Sequence, residues 1–181
     1  MNHERGPGHL QAMADELLAA RDEFMTALGG ADPQLLTAPG LSGEWSAREL
    51  IAHLGYWTGH ATEALHHAEQ GRTGEFGEDE MSVDERNAVV ARVATQTELA
   101  TVRQREQASF DALLTALQRA DPAWLDERVA YGDSLEEVIR DDGADHYREH
   151  AAELRAWFSG GDDPAEDEAD LDADGADTAA D

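Results

Sequence analysis

Residues 43–57 read GEWSARELIAHLGYW, and they decide the fold. Ser46 and Glu49 stand three positions apart. At that spacing a serine oxygen accepts from a backbone N–H in the first turn while the glutamate reaches back to the serine's own N–H. A helix therefore starts at residue 46. From there Leu50, Leu54, Trp57, Ala61, Leu65 and Ala68 recur at three- and four-residue intervals as one apolar stripe. The stripe runs to about residue 70, and Gly71 stops it. At about 100° per residue, His53 lies about 60° from the centre of the stripe, and His60 and His67 drift farther round. His53 is the histidine of this helix nearest the core, with His60 as the fallback. His66 and His67 read as solvent-exposed, and His3 and His9 belong to a terminus expected to fray.

Working outward, a first helix over about 9–28 carries Met13, Leu17, Leu18, Phe24, Met25 and Leu28 on one face and ends at Gly29-Gly30. Three more Ser/Thr-x-x-Glu boxes follow: Ser82 with Glu85, Thr95 with Glu98, and Ser134 with Glu137. Left unbroken, the helical run over 83–117 would be about 50 Å long at 1.5 Å per residue. A break near 95–97 is more economical. It yields a short helix and then a long one bearing Leu99, Val102, Phe110, Leu113, Leu114 and Leu117. Asp121-Pro122 ends that element, and a last helix covers about 135–158. The predicted fold class is all-α: a four-helix bundle with a short extra helix before helix 3.

On the wheel of the last helix, Ile139, His146, His150 and Trp157 fall on one line to within about 20°. Two histidines thus occupy the middle of a face that must be buried. An unpaired buried imidazole costs a few kcal/mol, so each needs a hydrogen-bond partner or a metal ion. Histidines four apart on a helix lie side by side and can present both rings to one ion. The competing reading is a pair of core histidines bonded to nearby carboxylates or tyrosine.

These segments carry a family resemblance. Residues 43–57 resemble the second-helix signature of the DinB-like four-helix bundles. Within that superfamily they are closest to the ClbS/DfsB group and related to the N-terminal domain of mycothiol-dependent maleylpyruvate isomerase. Residues 145–150, DHYREH, are similar to that family's fourth-helix motif, and residues 83–87, VDERN, resemble the start of its third helix. The resemblance implies a metal site built from one histidine of helix 2 and two positions of helix 4: His53, His146 and His150. Where the isomerase-like branch often has Glu in the middle place, this chain has His146. Three imidazoles leave a coordination position open, as reactive sites do, and zinc, nickel, iron or manganese would each suit them. Glu49 and Glu149 are candidate partners for the imidazole N–H groups, with exposed helix carboxylates as the alternative. Tyr147 and Arg86 are candidate substrate contacts by proximity.

The function implied by the resemblance is a metal-dependent transferase, isomerase or hydrolase acting on small electrophiles. A low-molecular-weight thiol would serve as co-reactant, in stress or detoxification. Alternatives are a non-catalytic protein that binds a small molecule protectively, as in the ClbS/DfsB type, and a structural bundle. A homodimer is expected by family analogy only.

Composition bounds these readings. The 181 residues suit one domain. Forty acidic residues face thirteen basic ones, all arginine, for a net charge of −27, and there is no cysteine. Disulfides, zinc–thiolate sites and a protein thiol nucleophile are excluded, and the missing lysine excludes lysine-based Schiff chemistry and a phosphate-binding Walker lysine. The acidic balance leads to the expectation of no nucleic-acid partner and no membrane partner, because phosphate contacts need clustered Lys or Arg. No apolar run of 18 residues or signal-peptide pattern occurs, so a cytoplasmic location is expected. Residues 161–181, GDDPAEDEADLDADGADTAAD, hold ten carboxylates and one large apolar residue, Leu171. They read as a disordered acidic tail after a bundle domain over 1–160.

Overall fold

A computed structural model of the chain describes residues 6–78 and 81–159. It contains α1 (Pro7–Gly29), α2 (Ala47–Glu69), α3 (Val83–Thr95), α4 (Leu99–Arg119), α5 (Leu135–Asp142) and α6 (Ala144–Phe158). Among the described residues there is no strand, only the isolated bridges Ser42–Trp45 and Arg128–Ser134. The main packing partners are α2 with α4 and α1 with α6, while α3 and α5 also lie against α2. The bundle is therefore α1, α2, α4 and the consecutive pair α5–α6, with α3 as the short extra helix. The acidic segment 161–181 and His3 lie outside the described residues. None of the described helices is long and apolar enough to cross a membrane.

The serine boxes at Ser46, Ser82 and Ser134 all form and start α2, α3 and α5. The fourth does not. Thr95 is the last residue of α3, and its hydroxyl donates to Ala91 O at 2.9 Å and to Glu49 Oε1 at 3.3 Å. Glu98 precedes α4 without any side-chain cap. The chain still breaks where expected, because α3 must turn away before α4 can enter the bundle.

The last helix departs from the continuous 135–158 element. It is interrupted at Gly143, with φ −112° and ψ −109°. A Cβ there would meet Ile139 O at 2.5 Å, so the backbone passes too close to the preceding turn for any residue but glycine. The interruption re-aims α6, which delivers His146 and His150 to the bundle interior.

The core is built from the predicted stripes: Leu17, Phe24, Leu50, Leu54, Leu65, Leu113, Leu117 and Leu154 are all fully buried. A charge sits among them. Glu106 of α4, 1 % exposed, receives both Nε and Nη2 of Arg21 at 2.8 Å and the Tyr147 hydroxyl at 2.5 Å. The forked geometry satisfies the carboxylate on both oxygens, which is what permits its burial. This network ties α1, α4 and α6 together. It also removes Tyr147 from the candidate substrate contacts, since that ring is wholly buried.

Candidate metal centre

His53 points inward from the middle of α2 and is 6 % exposed; His146 and His150 come from the first two turns of α6 and are half-buried. One ring nitrogen of each lies within 4.8 Å of the others. The Nε2 atoms of His53 and His146 are 2.8 Å apart. Ring centroids are separated by 4.7 Å (His53–His146), 4.8 Å (His146–His150) and 5.2 Å (His53–His150). With metal–nitrogen bonds of about 2.1 Å, two ligands of a tetrahedral ion stand about 3.4 Å apart. The observed separations bracket that spacing, and small side-chain rotations reach it.

The polar accounting points the same way. His53 Nδ1, His146 Nδ1 and His150 Nε2 are buried without a hydrogen-bond partner. His53 and His146 face each other through Nε2, so an ion shared there would satisfy the His150 Nε2 orphan, at about 1–3 kcal/mol, and leave the two Nδ1 atoms as they are. Burial first, and then the neighbouring His150, push His53 down to about 4; burial, His53 and His150 push His146 down to about 3. Both rings are therefore neutral near pH 7, the form in which an imidazole binds a cation.

Surrounding groups complete the pocket. His150 Nδ1 lies 2.7 Å from Glu153 Oε2, which keeps the ring proton on Nδ1 and the lone pair on Nε2. The Trp45 ring lies 5.2 Å from His53 and that of Trp57 6.2 Å away. The Trp57 indole N–H donates to Asn87 Oδ1 at 3.0 Å, so the start of α3 braces the wall beside the triad.

The sequence-based partners prove different. Glu149 is exposed, and Glu153, one turn on from His150, takes its place; its position three residues after His150 was the available signal. Glu49 is neither exposed nor a histidine partner. It is buried and accepts from Ser46 N at 2.8 Å, from the Ser46 hydroxyl, and from Arg48 Nε at 3.0 Å. Burial works against its ionisation, yet the Ser46 and Arg48 contacts hold its carboxyl below the ordinary range. His60 does not join the triad but pairs with Asp142 at 2.7 Å. His9 is not frayed: its Nε2 meets Glu136 Oε1 at 2.9 Å. His66 is exposed as expected, while His67 is partly covered by Phe76. Arg86 donates to the Tyr56 hydroxyl at 3.0 Å and borders cavities beside α2.

Several solved structures share this fold. ClbS, the colibactin self-resistance protein, crystallised in complex with a dsDNA, matches with a TM-score of 0.66 at 16 % identity, over 83 % of this chain and 94 % of its own. The mycothiol-dependent maleylpyruvate isomerase matches with a TM-score of 0.66 at 20 % identity. The match takes in 80 % of this chain but 60 % of the isomerase, which is the longer protein. An uncharacterised protein from Escherichia coli UTI89 matches with a TM-score of 0.65 at 14 % identity, over 86 % and 94 % of the two chains. No curated protein sequence matches.

ClbS corrects one expectation. The charge balance led to the exclusion of nucleic acid, but a protein of this same fold forms a complex with dsDNA. Net charge sums the whole chain, the ten carboxylates of 161–181 included, and does not describe the field over any one face.

The order of helices, the inward histidines and a match to the family over residues 16–158 agree: this chain belongs to the DinB superfamily.

Proposed function

We propose that His53, His146 and His150 hold a divalent transition metal ion (zinc, nickel, iron or manganese). In this reading the protein is a metal-dependent enzyme that transfers a low-molecular-weight thiol to small electrophiles, or isomerises or hydrolyses them, in detoxification. The observation that carries the reading is the convergence of three imidazoles, one ring nitrogen of each within 4.8 Å of the others, with His150 Nε2 sealed from solvent and without a protein partner. When bound, such an ion supplies Lewis acidity and lowers the pKa of a thiol or water that it contacts.

The chain's own residues prepare that chemistry. Glu153 fixes the tautomer of His150. Trp45 and Trp57 pack beside His53, and Trp57 beside His146, which helps keep these two rings uncharged and the local dielectric low. With no cysteine in the chain, a nucleophilic sulfur must arrive on a small molecule, and the mycothiol dependence of a same-fold isomerase supports that assignment.

The test is metal analysis of the full chain purified without a polyhistidine tag, followed by thiol-conjugation assays with simple electrophiles. Stoichiometric metal that is lost in His146→Ala supports the reading. Substoichiometric metal that the same substitution leaves unaltered defeats it.

A second reading draws on a cavity of about 350 Å³ between α2, α3 and α4, walled by Val89, Val90, Val93 and Val102. It would suit a protein that sequesters a small apolar molecule without turnover, and the resistance role of ClbS supports it. Saturable binding without product favours this reading, and duplex DNA belongs among the ligands tried.

A further inference from the structure

His60 and Asp142 stand outside the triad. His60 Nδ1 lies 2.7 Å from Asp142 Oδ2, joining α2 to α5, and both side chains are mostly buried. With the ring proton directed at the carboxylate, Nε2 carries the lone pair. That nitrogen has no hydrogen bond among the described residues, and it is not one of the polar atoms sealed from solvent. The ring is gripped by Phe76 at 4.6 Å and Trp57 at 5.1 Å. It lines two cavities, of about 470 Å³ and about 300 Å³, that share Gly77 and Arg86 on their borders.

The dyad is physically separate from the triad. The Trp57 indole stands between them, with its ring 6.2 Å from His53 and 6.5 Å from His146. Seven residues of helix place His60 about 10 Å along the axis from His53, beyond hydrogen-bond reach. A pair that served only to pin α2 to α5 would gain nothing from an open acceptor nitrogen on a cavity wall. An imidazole with one nitrogen tied to a buried carboxylate and the other open to a cleft has the layout of a general base.

We propose that His60 and Asp142 form a proton-transfer dyad that serves a hydroxyl- or thiol-bearing small molecule, or water, in the cleft beside α2 and the 76–78 turn. The proton passes from the O–H or S–H group to His60 Nε2, and the bonding pair stays on oxygen or sulfur. Asp142 is the positioning residue: its carboxylate balances the imidazolium and holds the ring in place. Glu63, Glu75 and Glu78 on the larger cavity and Asp133 and Asp141 on the smaller outnumber Arg86, which borders both, so the ligand is uncharged or cationic. This site does not depend on metal at the triad.

The probe is hydrolysis of p-nitrophenyl acetate by the full chain in EDTA. Here His60 takes a proton from water as the water oxygen bonds to the ester carbonyl carbon; the bond to p-nitrophenolate breaks, leaving acetate. Because general-base assistance contributes about 10²–10⁴-fold, His60→Gln should lower the rate at least tenfold. Asp142→Asn should lower kcat at unchanged KM, a split that loosened packing would not produce. A wild-type rate in His60→Gln, or abolition of the reaction by EDTA, overturns the proposal. The unmodified protein supplies an independent check by diethyl pyrocarbonate labelling. His60 should be modified at least as fast as the exposed His66; a His60 left unmodified after His66 has fully reacted defeats the dyad.

Discussion

His150 Nδ1 lies 2.7 Å from Glu153 Oε2, while the other nitrogen of the same ring is buried with no partner. The carboxylate orients one side of the imidazole and leaves the other available to the cluster made with His53 and His146. Orienting partners of this kind are worth about 10–100-fold in metal affinity. Glu153→Gln should therefore weaken zinc binding by that factor in a competitive chelator titration. Glu153 is 39 % exposed, so the stability of the metal-free protein should change by less than about 1 kcal/mol.

Acid should destabilise the metal-free protein through the same rings. Burial leads in holding His53 to about 4 and His146 to about 3, against an ordinary 6.5. Between those values the unfolded chain binds more protons than the folded one, so stability falls as pH falls. The contribution is intact above pH 6.5 and is lost progressively toward pH 4 and then 3, a decline of a few kcal/mol. Urea midpoints measured across that range should drop more steeply for the wild type than for a His53→Gln/His146→Gln double variant. Equal slopes would show that the rings are not held neutral.

The Arg21–Glu106–Tyr147 network makes a stability prediction. Burial first, and then the Glu106 carboxylate, push the Tyr147 phenol well above its ordinary range, so the hydroxyl remains a donor at every working pH. Tyr147→Phe removes one charge-assisted bond and should cost about 1.5–3 kcal/mol. Glu106→Ala leaves the buried Tyr147 hydroxyl without its acceptor and the partly buried Arg21 guanidinium with Gln107 alone, and should cost more, about 3–5 kcal/mol. Denaturant unfolding ranks the two, and a milder effect from Glu106→Ala would contradict the buried-charge account.

Two glycines of α2 should respond in opposite directions. A Cβ on Gly55 would stand 3.0 Å from the Glu106 Cα, so Gly55→Ala must part α2 from α4 and should cost about 1–3 kcal/mol. At Gly59 the nearest atom is Ser109 Oγ, at 3.7 Å. There, Gly59→Ala meets ordinary contact and should stabilise by up to about 1 kcal/mol through helix propensity. Thermal unfolding of the two variants separates close packing from propensity.

Much of this was legible along the chain because helices are local objects. Ser46, Ser82 and Ser134 announce α2, α3 and α5 through bonds made within one turn, and the leucine spacing shows which face goes inward. Thr95 carried the same local signature, and tertiary packing overrode it: its hydroxyl turns back to Ala91 and across to Glu49 of α2. The inward placement of His53 was readable for the same reason, since it lies near an apolar stripe; His146 and His150 were readable as a side-by-side pair, while the break at Gly143 takes them off the wheel that began at Ile139. Glu49 carried two readings, the cap of α2 from its spacing to Ser46 and a ring partner from its place one turn before His53, and the cap holds its carboxylate.

Helix boundaries, the apolar faces and the chemistry of the ligand candidates belong to the sequence itself, since 3.6-residue periodicity and capping depend on neighbours a turn away. The approach of His53 to His146 across 93 residues, the pairing of His60 with Asp142 and the burial of Glu106 against Arg21 belong to the tertiary structure. Those contacts depend on the angle at which α6 leaves Gly143 and on how closely Gly55 lets α2 approach α4. Both are set by packing of distant segments, which leaves no period in the chain to read.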